Sequence, residues 1–146
     1  FRKFLLLLLV GSALFAAAVW FLPYEWKQDP GARFKIAASQ VKRDRSYYWL
    51  TLHLKKAGSE EHDLMKPVRL VLSDGRELEP ADTTFSYPDE AGPKDTEIWF
   101  KFWLEERDLS GPLTLRLNDG TLKVKSSAAV PNIANGTMRT FSNHRW

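Results

Sequence analysis

The stretch "FLLLLLVGSALFAAAVWFL", the nineteen residues from Phe4 to Leu22, carries no charged side chain and is interrupted only by Gly11 and Ser12. Nothing else constrains the fold as strongly. As a helix it would be roughly 28 Å long at ~1.5 Å per residue, about the thickness of bilayer hydrocarbon. Arg2 and Lys3 precede it, and Trp20, Phe21, Tyr24 and Trp26 crowd its far end, where amphipathic rings favour the headgroup region. These six residues form the expected membrane-interface set. A cleavable export signal shares the basic start and apolar centre, and Ala16–Ala18 offers a small-residue cleavage site. The apolar run continues past that site through Val19 to Leu22, so the expectation over residues 1–22 is an uncleaved single-span anchor in a lipid bilayer. Its basic start points to a cytoplasmic N-terminus and an extracytoplasmic domain, periplasmic in a bacterium. Residues 23–32 read as a short juxtamembrane connector in which Pro30-Gly31 breaks any continuing helix.

Beyond the connector the apolar residues recur with period two, the signature of half-buried strands. "SYYWLTLHLKK" sets Tyr48, Leu50, Leu52 and Leu54 on one face and Tyr47, Trp49, Thr51 and His53 on the other. "TEIWFKFWLEERD" sets Ile98, Phe100, Phe102 and Leu104 against Trp99, Lys101 and Trp103. The same alternation places strands near 33–39, 46–56, 67–73, 76–79, 96–105, 112–118 and 121–126. "VLSDGREL" and "LRLNDGTLKV" each put Asp-Gly between alternating segments, where that dipeptide supplies the positive φ a tight hairpin needs. Six or seven strands over 33–126 fit a small antiparallel β-sandwich. The pattern resembles an immunoglobulin-like or fibronectin-III-like module in architecture, without a Cys-Trp-Cys framework. The acidic stretch 78–95 reads as a loop pinned by Phe85 and Tyr87, and 127–146 as an extended C-terminal tail.

The chain contains no cysteine, so disulfides, thiolate metal sites and lipidated cysteines are excluded. Its net charge of +3 is unevenly spread: eight basic and two acidic residues over 27–56, seven and fifteen over 60–119, four and none over 120–146. Such blocks neutralise one another if end strands lie beside middle ones, and they lack the sustained basic face expected of a nucleic-acid binder. His53, His62 and His144 have no ligand spacing, and "SEEHD" around His62 reads as a solvated loop. Glu105-Glu106 and Asp89-Glu90 are neighbours that point apart on a strand, and no phosphate loop, nucleophile elbow or H-E-x-x-H is present. No enzyme, metal or cofactor is expected. "NGT" at Asn135–Thr137 reads as a turn and not as a glycosylated site.

What remains is an excess of aromatics opposite the main apolar stripes. Tyr47, Trp49, Trp99 and Trp103 fall on second faces of strands, and Phe141 and Trp146 lie in a tail without alternation; these six are the partner-contact candidates. Three occupants compete for the strand faces: the acidic loop or tail of the same chain, another membrane protein, or a stacked sugar. The expected function is a non-catalytic, single-span accessory subunit that packs against integral membrane protein subunits; a respiratory or photosynthetic assembly is one such host, though no residue names it. The alternative is a freestanding anchored module for a glycan or another soluble ligand.

Overall fold

The computed structural model describes residues 1–21, 29–86 and 96–146, with the Phe21 side chain excepted. Tyr24, Trp26 and Tyr87 therefore lie outside the described residues. The apolar run forms one helix, α1 (Arg2–Phe21). Its Arg2–Trp20 window has a mean hydropathy of 2.1 and none of it is buried, so it is long and apolar enough to cross a membrane. The helix is apolar all round and lacks the single stripe of a soluble surface helix. Its one hydroxyl is satisfied internally, Ser12 Oγ donating to the Leu8 carbonyl at 2.8 Å. Arg2, Lys3 and Trp20 are exposed at its two ends, Trp20 by 81%.

The remainder is mainly β: β1 (Phe34–Asp44), β2 (Tyr47–Lys56), β3 (Arg69–Val71), β4 (Glu77–Leu78), β5 (Asp82–Ser86), β6 (Glu97–Glu105), β7 (Leu113–Leu117), β8 (Gly120–Lys125) and β9 (Met138–Phe141). They build two antiparallel sheets, ordered β5-β6-β2-β1-β9 and β4-β3-β7-β8. The sheets enclose one core as a β-sandwich. Leu50, Leu52, Leu54, Phe100 and Phe102 from the first sheet meet Leu70, Leu113, Leu115 and Leu117 from the second, all within 1% of complete burial.

The nine strands among the described residues exceed the six or seven expected, and the differences have local reasons. β1 runs to Asp44 because a bulge between Ile36 and Ala38 shifts its parity, so Phe34 and Ile36 turn toward the core before the bulge and Ser39 and Val41 after it. A strict alternation ends at that bulge. β5 lies within the stretch read as a loop; it is an edge strand with mostly exposed side chains and one half-buried apolar residue, Phe85, packed on the core. The segment read as an extended tail carries β9, which pairs with β1 over Ser39–Lys42.

Polar groups lock the end of the sandwich at which β1 begins. A single 3-10 turn, Pro30–Ala32, is capped by Asp29, whose Oδ1 accepts from Gly31 N at 3.0 Å while Oδ2 accepts from Thr121 N at 3.0 Å. Asn118 is buried in the β7–β8 turn, donates through Nδ2 to the Ala32 carbonyl at 2.7 Å and accepts at Oδ1 from Asp63 N at 2.8 Å. His62 Nδ1 lies 2.9 Å from the same oxygen. The turn residue with positive φ is Asn118 (φ 52°), one step before the expected Asp-Gly pair. Gly120 begins β8 opposite Leu117 and is required for a different reason, since a Cβ there would lie 2.3 Å from Ala32 N. At the β3–β4 hairpin the expectation holds at Gly75, with φ 90°.

Charge blocks meet as the sheets close: Arg33 reaches Glu60 at 3.0 Å and Asp119 at 3.6 Å, Lys55 reaches Glu97 at 3.7 Å, and Lys56 reaches Glu61 at 3.8 Å. His62 is half-buried, its ring 6.2–6.3 Å from those of Phe34, Phe85 and Phe100. The loop that reads as solvated is thus folded over the core's open end.

Candidate functional site

Four of the six partner-contact candidates share the outer face of the five-stranded sheet. Alternation along β2 and β6 sends their leucines, isoleucine and phenylalanines inward, leaving the other parity outside. The β2–β6 register pairs Trp49 with Trp103 and His53 with Trp99. The Trp49 and Trp103 ring centroids are 4.3 Å apart, and Tyr47 stacks on Trp103 at 4.7 Å and 21°. His53 stacks on Trp99 at 4.6 Å and 5°. Trp99 and Trp103, four residues apart on one strand, stand about 14 Å from each other at ~3.4 Å per residue. Lys101 occupies the gap, its Nζ 4.5 Å from the Trp49 ring centroid. The result is an aromatic ladder running along the strands.

The ladder is half-open. Tyr47 is 40% and Trp103 36% exposed, while Trp49 and Trp99 are half-buried by their neighbours. His53 Nε2 lies 3.4 Å from the Glu97 carboxylate without forming a hydrogen bond. Beside the ladder, β1, β2, β6 and the start of β9 border a cleft of about 430 Å³, whose wall includes Gln40, Lys42, Trp49, Thr51, Lys101 and Met138.

Phe141 and Trp146 belong elsewhere. They stack on each other at 4.4 Å and 9° and pack, half-buried, against the core. The segment that carries them is stitched at the far end of the sandwich, with Arg43 N donating to the Thr137 carbonyl at 3.1 Å and Gly136 N to the Arg43 carbonyl at 2.9 Å. Ser127 N then donates to the Trp146 carbonyl at 3.2 Å. Beneath Trp146 lies Lys125, 1% exposed, its Nζ donating to the Ser127 and Gly111 carbonyls and 5.9 Å from the Trp146 ring. Burial lowers the Lys125 pKa below its ordinary value of 10.5. The C-terminal segment therefore closes one side of the sandwich and does not cover the ladder; Gly136 and Met138 reach only the wall of the cleft that Trp49 also lines.

Protein-family models, curated proteins and solved structures all yield no match to this chain. The site is therefore read from its own chemistry. Among the described residues no three His, Asp or Glu side chains converge on a metal-sized space. The histidines occupy three separate regions: His53 on the ladder, His62 beside Asn118 and His144 in the C-terminal segment. Sequence reasoning missed the Asp29–Asn118–His62 lock, whose partners lie as many as 92 residues apart. The only local signal was an Asn ahead of Asp-Gly, a residue type that tolerates positive φ.

Proposed function

We propose that this chain is a non-catalytic, membrane-anchored accessory subunit that contacts integral membrane protein partners through the outer face of its five-stranded sheet. The observation that carries this reading is the half-open ladder Tyr47–Trp103–Trp49, left uncovered by the described C-terminal segment. Large aromatics preassembled into a rigid wall lose little side-chain entropy on binding, which suits them to serve as interface anchors. A sugar platform needs open ring faces, and here Trp103 is stacked by Tyr47, Trp99 by His53, and Trp49 is covered by Lys101. The finer fold assignment is an immunoglobulin-like sandwich, supported by the strand order. β5-β6-β2-β1 and β4-β3-β7-β8 correspond to the D-E-B-A and C′-C-F-G arrangement of such domains, with β9 an additional edge strand. The N-terminal basic pair supports an extracytoplasmic domain, periplasmic in a bacterium.

Native mass measurement after mild detergent extraction from the host membrane tests this reading. The expected result is a mass above that of one 16.8 kDa chain, with co-purifying polypeptides in fixed ratio. A lone chain would defeat it. The cleft beside Trp49 favours a second reading, a freestanding anchored module for a soluble ligand. That reading expects tryptophan emission to change on titration with a panel of sugars.

A further inference from the structure

The loop between β2 and β3 contains a β-turn with an unusual corner. Lys66 N donates to the Asp63 carbonyl at 3.2 Å, and Asp63 Oδ1 accepts from Met65 N at 2.9 Å. The two corner residues are Leu64 and Met65. Such corners are ordinarily occupied by Gly, Asn, Asp, Ser or Pro. Here Leu64 is 73% and Met65 91% exposed, the highest values of any large apolar side chain among the described residues that follow α1. The turn is also held firmly. Asp63 N donates to Asn118, Lys66 pairs with Asp119, and the Glu61 carbonyl accepts from Arg33 Nη1 at 2.9 Å.

Each of these ties leads to the anchor end of the sandwich. Asn118 also holds the Ala32 carbonyl, and Asp29 holds Thr121, so the corner projects from the end at which the chain arrives from α1. Eight peptide steps join Phe21 to Asp29, and at ~3.6 Å per step this end lies within about 29 Å of the helix terminus. We infer that Leu64 and Met65 form a second membrane contact, dipping into the headgroup boundary of the bilayer that α1 spans and fixing the domain's tilt. This rests on the anchor reading of α1.

The local charges define the kind of surface. Arg33 is paired with Glu60 and Asp119, Lys56 with Glu61, and Lys66 with Asp119. Little net field is left to attract anionic lipid, so the contact is apolar, persists in zwitterionic phosphatidylcholine and is insensitive to salt.

Because the chain lacks cysteine, one substitution gives a unique attachment point for a fluorophore. Met65→Cys, Glu106→Cys at the far end of the sandwich and Leu8→Cys in mid-helix would each be made in the full chain, labelled with bimane and placed in phosphatidylcholine nanodiscs. Spin-labelled phosphatidylcholines, carrying the quencher near the headgroup or deep in the acyl chain, report depth. The expected result is a blue-shifted Met65 label quenched more by the shallow than by the deep spin label, unchanged by salt, while the Glu106 label is unquenched and the Leu8 label responds to the deep one. A Met65 label as unquenched as that at Glu106, beside a quenched Leu8 label, overturns the surface contact and leaves the anchor standing. A Met65 label that is water-exposed in these nanodiscs but shielded in the native complex assigns the corner to a protein and also overturns it. An unquenched Leu8 label removes the anchor and the surface contact with it.

Discussion

The aromatic ladder on β2 and β6 and the aromatic pair in the C-terminal segment have similar side chains but opposite situations. Phe141 and Trp146 pack against their own core, with Trp146 over the buried ammonium of Lys125, whereas Tyr47 and Trp103 keep more than a third of their surface in solvent. Stacking occurs in both places. What differs is the continuation beyond the stack: the C-terminal pair continues into a packed interior, and the ladder ends at an open surface. An aromatic cluster on a sandwich is thus structural or available for binding according to what lies on its second side.

Alanine substitutions should rank along this contrast when stability is measured by thermal or denaturant unfolding of the detergent-solubilised chain. Phe102→Ala removes a fully buried ring and is expected to cost about 3–5 kcal/mol. Phe141→Ala or Trp146→Ala opens the half-buried seam and is expected to cost about 1–3 kcal/mol. Trp103→Ala, one residue from Phe102 but on the other face, loses mainly its ring contacts, about 1 kcal/mol. Equal losses at Phe102 and Trp103 would mean that the ladder is core, and the distinction would collapse.

A smaller effect, dependent on pH, probes the closed seam. The Lys125 ammonium is desolvated in the fold, so its pKa there lies below the 10.5 of an exposed lysine. Between those two values the unfolded chain binds more protons than the folded one, so the Lys125 contribution makes stability rise with pH across that window. At lower pH both states are charged and the contribution is flat. The wild type is therefore expected to gain stability relative to Lys125→Met as pH climbs toward 10.5, read as the difference between their unfolding midpoints. Parallel pH profiles would show that water reaches the ammonium and that Trp146 does not seal it.

The parts of this molecule legible from residues alone are those governed by near-neighbour periodicity. The apolar helix, the inward faces of β2, β6 and β7, and the gathering of Tyr47, Trp49, Trp99 and Trp103 on second faces follow from alternation alone. Three kinds of feature do not. The β1 bulge shifts parity, so one template cannot span the strand. β5 and β9 are edge strands with largely exposed side chains, and without a buried stripe they resemble loops. The Asp29, Asn118 and His62 contacts join segments far apart in sequence through single hydrogen bonds, which leave no periodic trace. The pairing of Trp49 with Trp103 belongs between these cases: each residue's face was readable, but their meeting depends on the β2–β6 register. The packing of Phe141 and Trp146 against the core is not legible in the same way, because a segment without alternation gives no face to assign.

The most direct test of the ladder as a partner-binding face compares wild-type chain with Trp49→Ala/Trp103→Ala, both extracted in mild detergent from the host membrane and weighed by native mass spectrometry. Wild type is expected to carry partner polypeptides in fixed ratio, and the double variant to run as a lone chain that still unfolds cooperatively. A folded double variant that retains the same partners, or a wild type that carries none, would contradict the account.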